Sequence, residues 1–323
     1  MEEKKNEFPL LDHLDGVVEV LRQTAPCAVR QSDVEAVHDA RVASRRMKAA
    51  LDLFAPVISA RRAKDFSRIN RSLRRRLGAL RDLDVMLSHL SRMKSARRAD
   101  AAQWVSQRLR DLREEEIAKT AEDLQPARVL ARLGTWWGVR EEIIAVQEAA
   151  ASLLGESVHM QLDAFADQAE RLVQGAPGND PHQLRIAGKS LRYTLEMAKA
   201  HGIAIPKSVL AGFKRIQTSL GLWHDYVVLT ERILSESVEQ EVSLHDPPRQ
   251  QALLNLAGVT LKRAQVYLGQ VFEHWNQEGR ELAAQIRQCI PLTKPALPEA
   301  SPAAETKAAV AHEELTGTGP IAS

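Results

Sequence analysis

Two stretches of this chain place a histidine and then three cations along a single line. His38, Arg41, Arg45 and Lys48 follow one another at steps of three, four and three residues, and His182, Arg185, Lys189 and Arg192 repeat those steps. At about 100° per residue, each set stays within an arc of about 80° on one helix face. Such a face suits oxyanions. Arginine presents forked donors that match phosphate oxygens, and lysine adds a mobile point charge. Like charges one turn apart repel by about 0.2–0.5 kcal/mol per pair, so the unliganded stripe is locally unfavourable. A chain of phosphates would meet the cations in turn and release counterions as a nucleic acid does.

A further stripe follows. Arg61, Lys64, Arg68, Arg71 and Arg75 share one arc, and Asp52 and Asp65 are the only acids between Arg41 and Arg81. The corresponding later segment keeps Lys207 and Lys214 but has Ala211 and Thr218 in place of two cations, so the first half is the more basic. Asp52 and Glu196 close the two histidine-led stripes, where each can hold a neighbouring cation. A lone basic helix face is usually solvated surface. The same face occurring twice argues for a site. For His38 and His182, a structural role and an anion contact both stand. In the second case protonation tightens polyanion binding as pH falls from about 8 to 6. Asp82 and Asp225 are expected to pair with arginines and hold helices in register. RDLD at Arg81–Asp84 has two acids, but its counterpart His224–Val227 keeps only one, so no metal is expected there.

The repetition extends beyond the stripes. VHDARVASRRMKAALDLF starts at Val37 and PHQLRIAGKSLRYTLEMA at Pro181; His38 and His182 are 144 residues apart. RRLGALRDLDVML and TSLGLWHDYVVLT set Gly78 and Gly221 143 residues apart. Two segments at nearly one offset imply duplication of a whole unit. The elements that must position the cations are helices. Leu10, Leu14, Val17, Val18 and Leu21 mark a first one. On the far side of the first stripe gather Ala40, Ala43, Met47, Ala50, Leu51 and Phe54; Leu184, Ala187, Leu191, Leu195 and Ala198 do so in the second. Asp33 and Asp180 precede these helices as N-caps, with Pro181 at a first turn. Breaks are expected at Pro26, Pro56, Pro126, Gly175–Gly178, Gly202–Pro206 and Pro247–Pro248. The expected fold is all-α, with two repeated bundles of roughly four helices related by a pseudo-two-fold around a basic cleft. Residues 1–290 form that domain, in halves of approximately 8–130 and 140–290. Residues 291–323, rich in Pro and Ala, form a disordered tail.

Composition narrows the function. The net charge is only +2, from 44 Lys and Arg against 42 Asp and Glu, so the cationic field is local rather than global. Two distant cysteines give neither a metal spacing nor a disulfide framework. No apolar signal core or membrane-length run occurs, which leads to the expectation of a cytoplasmic protein. AGKS at Ala187–Ser190 matches the end of a phosphate-binding loop, but Gln183 stands where that motif has its first glycine and no strand precedes it. No HExxH occurs, and no cofactor is expected.

The quoted segments, with IQTSLGLWHDYVVL from Ile216, resemble the CHAD domain, a helical domain named for its histidines. The resemblance covers nearly all of the chain before Pro291. It implies two four-helix halves around a basic cleft that binds inorganic polyphosphate, without catalysis, and an association with polyphosphate granules. By the resemblance His38, Arg41, Arg45 and Lys48 match one motif, and His182, Arg185, Lys189 and Arg192 the other. Three other readings remain open from the residues alone. One is an enzyme acting on polyphosphate or a phosphorylated small molecule. It would call for a cluster of metal-holding acids, which the basic faces lack. Another is weak, non-specific nucleic-acid binding, against which stands the scatter of Trp104, Trp136, Trp137, Trp223 and Trp275. The last is a scaffold for an acidic protein.

Overall fold

The computed structural model describes residues 8–93 and 99–292. The expected tail therefore lies almost wholly outside the described residues. Every regular element among the described residues is helical. In chain order they are α1 (Pro9–Arg30), α2 (Val34–Phe54), α3 (Ala60–Ser91), α4 (Ala99–Asp123), α5 (Pro126–Leu133), α6 (Trp136–Ala145), α7 (Ala150–Val173), α8 (Pro181–Ala200), α9 (Lys207–Ser237), α10 (Gln240–His245), α11 (Pro247–His274) and α12 (Arg280–Cys289). A π-helical turn, Trp275–Gly279, joins the last two. No described helix is long and apolar enough to cross a membrane.

The helix starts follow from local chemistry. The Asp33 carboxylate accepts from the Ala36 amide at 2.8 Å, and that of Asp180 from the His182 amide at 2.8 Å. Each satisfies one of the amides left orphaned at a helix start, so α2 and α8 begin just ahead of their histidines. Both bury the apolar side opposite the cations: Ala40, Ala43, Met47, Ala50 and Phe54 on α2, and Leu184, Leu191, Leu195 and Ala198 on α8.

One expected break does not occur. Pro26 lies inside α1. A helix-interior proline costs about 3 kcal/mol or more, and each buried Val or Leu returns about 1.5–3 kcal/mol. α1 buries Leu10, Leu11, Leu14, Val17, Val18, Leu21 and Val29, with Ala25 and Ala28 beside the proline. Burial outweighs the lost hydrogen bond.

The buried side chains do not sort by sequence half. The larger core draws on α1, α2, α5–α8, α12 and the N-terminal parts of α3 and α9. The smaller one takes Leu83, Met86 and Leu90 from α3 and Tyr226, Leu229 and Ile233 from α9, with α4, Val242 of α10, and α11. α3 and α9, 32 and 31 residues long, contribute to both cores, as α11 does through Val271. α5 and α6 occupy the stretch expected to separate the halves. α2 packs on α8 and α3 on α9, which brings the two repeated motifs to the middle of the molecule.

Candidate functional site

Where these four helices meet, a 150 Å³ pocket is lined by His38, Arg41 and Arg45 from α2, Arg81 and Asp82 from α3, Arg185 and Lys189 from α8, and Asp225 from α9. Five arginine and lysine residues and a histidine thus face two acids. Each acid is turned to an arginine. Asp82 accepts from Arg41 Nη2 at 3.1 Å, and Arg185 Nη2 stands 3.9 Å from Asp225. These are the interhelical pairings the sequence led us to expect. The Arg41 guanidinium also reaches the Arg74 carbonyl at 3.4 Å, and it passes over Gly78 so closely that a Cβ there would lie 2.5 Å from Nη1.

Burial dominates the electrostatics. The Arg41 guanidinium is brought down to about 10, first by burial and then by Arg45, yet remains cationic at neutral pH. Arg185 is lowered as well, by burial first, with Asp225 opposing. Lys189 has no acceptor within hydrogen-bonding or ion-pair distance among the described residues. Burial, then Arg185, Arg45 and Arg41, bring its ammonium down to about 6, with Asp225 opposing. Burial pushes the Asp225 carboxyl up, but the neighbouring His89, Arg185 and His224 outweigh it and hold it below the usual range. His89 is itself buried, its Nε2 3.8 Å from that carboxylate and its ring against Tyr226. Burial and Arg185 bring His224 down to about 4; its ring lies 5.0 Å from that of His182. His38 is lowered too, by burial and then Arg81. Among the described residues, the buried Nε donors of Arg74 and Arg185 have no acceptor. A desolvated cation cluster with spare donors is complementary to a ligand of several phosphoryl oxygens.

The other expected contacts lie elsewhere. Lys64, Arg68 and Arg71 line a second pocket, of 470 Å³, with Asp52 and Ile58. Lys48 is ion-paired with Asp52. Arg75, Lys207 and Lys214 are exposed and line neither pocket. Arg192 faces Glu196 at 3.4 Å and lies over the Tyr193 ring. Glu196 also accepts from Arg46 of α2 at 2.8 Å, so this acid ties α8 to α2. Glu196 and Asp52 therefore hold cations, as their positions suggested. Arg81 lines the pocket, and Arg74 and His224 adjoin it; stripe reading missed all three. Arg81 and His224 immediately precede the two paired aspartates, at matching places in the repeat, and that adjacency was the available signal.

Among the described residues, no three His, Cys, Asp or Glu side chains gather into a metal-holding group. The acids of the central pocket, Asp82 and Asp225, stand against Arg41 and Arg185, and Asp225 also faces His89.

A family model of the CHAD domain matches residues 12–234, which take in α1 through most of α9 and hence all four helices of the pocket. Among solved structures, the crystal structure of the CHAD domain from the plant Ricinus communis is similar to this chain. The two are 24% identical, with a TM-score of 0.56, over 90% of this chain and 93% of that one. At that identity the likeness concerns the fold. No curated protein matches the chain.

Proposed function

The chain belongs to the CHAD domain family, and we propose that it binds inorganic polyphosphate, without converting it, in the cation cluster between α2, α3, α8 and α9. One observation carries this reading: Arg41, Arg45, Arg81, Arg185 and Lys189 converge on one pocket whose acids, Asp82 and Asp225, stand against two of those arginines. Strong mutual repulsion and unsatisfied donors are relieved together by a polyanion, which supplies many oxygens at high charge density. The non-catalytic reading rests on the same pairing. Phosphoryl transfer draws on carboxylates that hold metal and on a positioned nucleophile. Here Asp82 neutralises Arg41, and Asp225 is shared by Arg185 and His89. Recruitment to polyphosphate granules is the cellular role that fits such a binder.

The test is titration with long-chain polyphosphate at near-physiological salt, with double-stranded DNA and orthophosphate in parallel. An Arg41/Arg45/Arg185/Lys189 alanine variant is compared after circular dichroism has verified its helicity. We expect tight polyphosphate binding, weak DNA binding, no phosphate release, and loss of binding in the variant. Equal affinity for DNA, or a variant that binds like the parent, would replace this reading with that of a general basic surface.

A further inference from the structure

The second pocket lies where the end of α2 meets the start of α3. It offers Lys64, Arg68 and Arg71, all exposed and none of them ion-paired among the described residues. Its lining includes one acid, Asp52, whose side chain is 62% exposed and pairs with Lys48. Arg74 lies between the two pockets: its charge feels Asp52, Arg45 and Arg71 together. α2 and α3 pack side by side, with Arg41 beside Gly78 and Asp82 at the central end and Asp52 beside Lys64, Arg68 and Arg71 at the other. From Arg41 to Asp52 is about 16 Å along α2 at the helical rise. Among the described residues, the corresponding cations of the other half are fewer and differently placed. Arg192 is turned to Glu196, and Lys207 and Lys214 line neither pocket.

We propose that the α2–α3 hairpin carries a second polyphosphate basin that selects for chain length, with Asp52 as the opposing charge within that basin. This inference rests on the polyphosphate reading above and extends it. A triphosphate fills the central pocket but does not reach Lys64, Arg68 and Arg71. A long chain leaves the central cluster along α2 and α3, passes Arg74, and engages the three outer cations. Its second engagement is intramolecular and adds avidity without tighter local contacts. Asp52 lines the outer basin where that route ends. Its negative charge opposes the arriving chain, and the pairing with Lys48 cancels only part of that opposition. The path runs along the first sequence half, whose α3 supplies the three outer cations.

The experiment measures affinity of the full chain for tripolyphosphate and for long-chain polyphosphate, each over a range of salt concentration. In the parent, the slope of log affinity against log salt should be steeper for the long ligand by about 2, the counterion release of three further cations. In a Lys64→Ala/Arg68→Ala/Arg71→Ala variant the long-to-short affinity ratio should fall about tenfold or more and the slope difference should vanish. Asp52→Asn should move the ratio the other way, a gain that misfolding cannot mimic. Parallel losses for both ligands in the triple variant, or an Asp52→Asn effect equal for both, would overturn the two-basin arrangement. If the parent binds neither ligand, the polyphosphate reading itself falls. Binding of both with a ratio insensitive to these variants sinks only the chain-length inference.

Discussion

Lys189 is the side chain whose state a ligand would change most. Its ammonium is brought down to about 6 by burial and by Arg185, Arg45 and Arg41, with Asp225 on the other side. At pH 7 the free site therefore holds it largely as a neutral amine. Phosphoryl oxygens would favour the ammonium and return its pKa towards the ordinary lysine range. The sign follows: the complex holds more protons than the free protein at every pH between the two values, so affinity rises as pH falls through that interval. It levels off below about 6, where the free site is already protonated. The limit is about tenfold per pH unit, for one proton taken up. This interval overlaps the one assigned to His38 and His182 from the sequence. His38 is lowered by burial and Arg81 and takes up a proton less readily than a free histidine. Titrations from pH 8 to 6 with Lys189→Met separate the sources. We expect the variant to lose most of the pH dependence. A dependence that survives intact would return the role to the histidines.

At the scale of elements, the LG motif occurs in both halves, yet its two glycines have different work. Gly78 lies under the Arg41 guanidinium, whereas a Cβ at Gly221 would meet nothing within 4 Å. A helix-interior glycine costs about 1 kcal/mol relative to alanine. Gly221→Ala is therefore expected to stabilise the protein by up to about 1 kcal/mol, with little effect on binding. Gly78→Ala gains the same helix propensity but pushes Arg41 away from Asp82. Its polyphosphate affinity should drop by about tenfold, the worth of one charge-assisted hydrogen bond. Thermal melts and titrations of the two variants check the contrast; equal behaviour would show that Arg41 is not held where Gly78 lets it lie. The contrast also marks how much the sequence disclosed. Helical periodicity was enough to place the apolar and cationic faces of α2 and α8, because 3.6-residue geometry alone decides them. The caps Asp33 and Asp180 were legible for the same local reason. Pro26 misled because tertiary burial of α1 outweighs a local propensity. Lys48 and Arg192 lie on the predicted stripes, but Asp52 and Glu196 hold them in ion pairs. Arg81, Arg74 and His224 stayed hidden, since helix packing, not spacing, brings them to the cluster.

For the whole molecule, α3 and α9 are the decisive struts, because each contributes to both cores. Loss of either core removes half the support of both long helices, so heating should give one cooperative transition rather than one per sequence half. Salt acts on that transition in two opposed ways. In the free protein, repulsion among Arg41, Arg45, Arg81 and Arg185 opposes folding, and added salt weakens it, since the Debye length falls from about 30 Å at 0.01 M to about 10 Å at 0.1 M. Exposed ion pairs such as Arg215–Glu278 and Arg280–Glu170 work in the other direction, but each is worth only about 0–1 kcal/mol. The cluster is half-buried and holds more cations than the two acids Asp82 and Asp225 can offset, so its repulsion should prevail and the free protein's midpoint should rise with salt. Bound polyphosphate stabilises by mass action, about 2.7 kcal/mol at a hundredfold excess over the dissociation constant. That increment should shrink with salt, because binding is counterion release. The two midpoint curves, with and without polyphosphate, should therefore converge as salt increases. A free-protein midpoint that falls with salt would mean that surface pairing outweighs the cluster's repulsion, and the cations would then be poor evidence for a waiting polyanion.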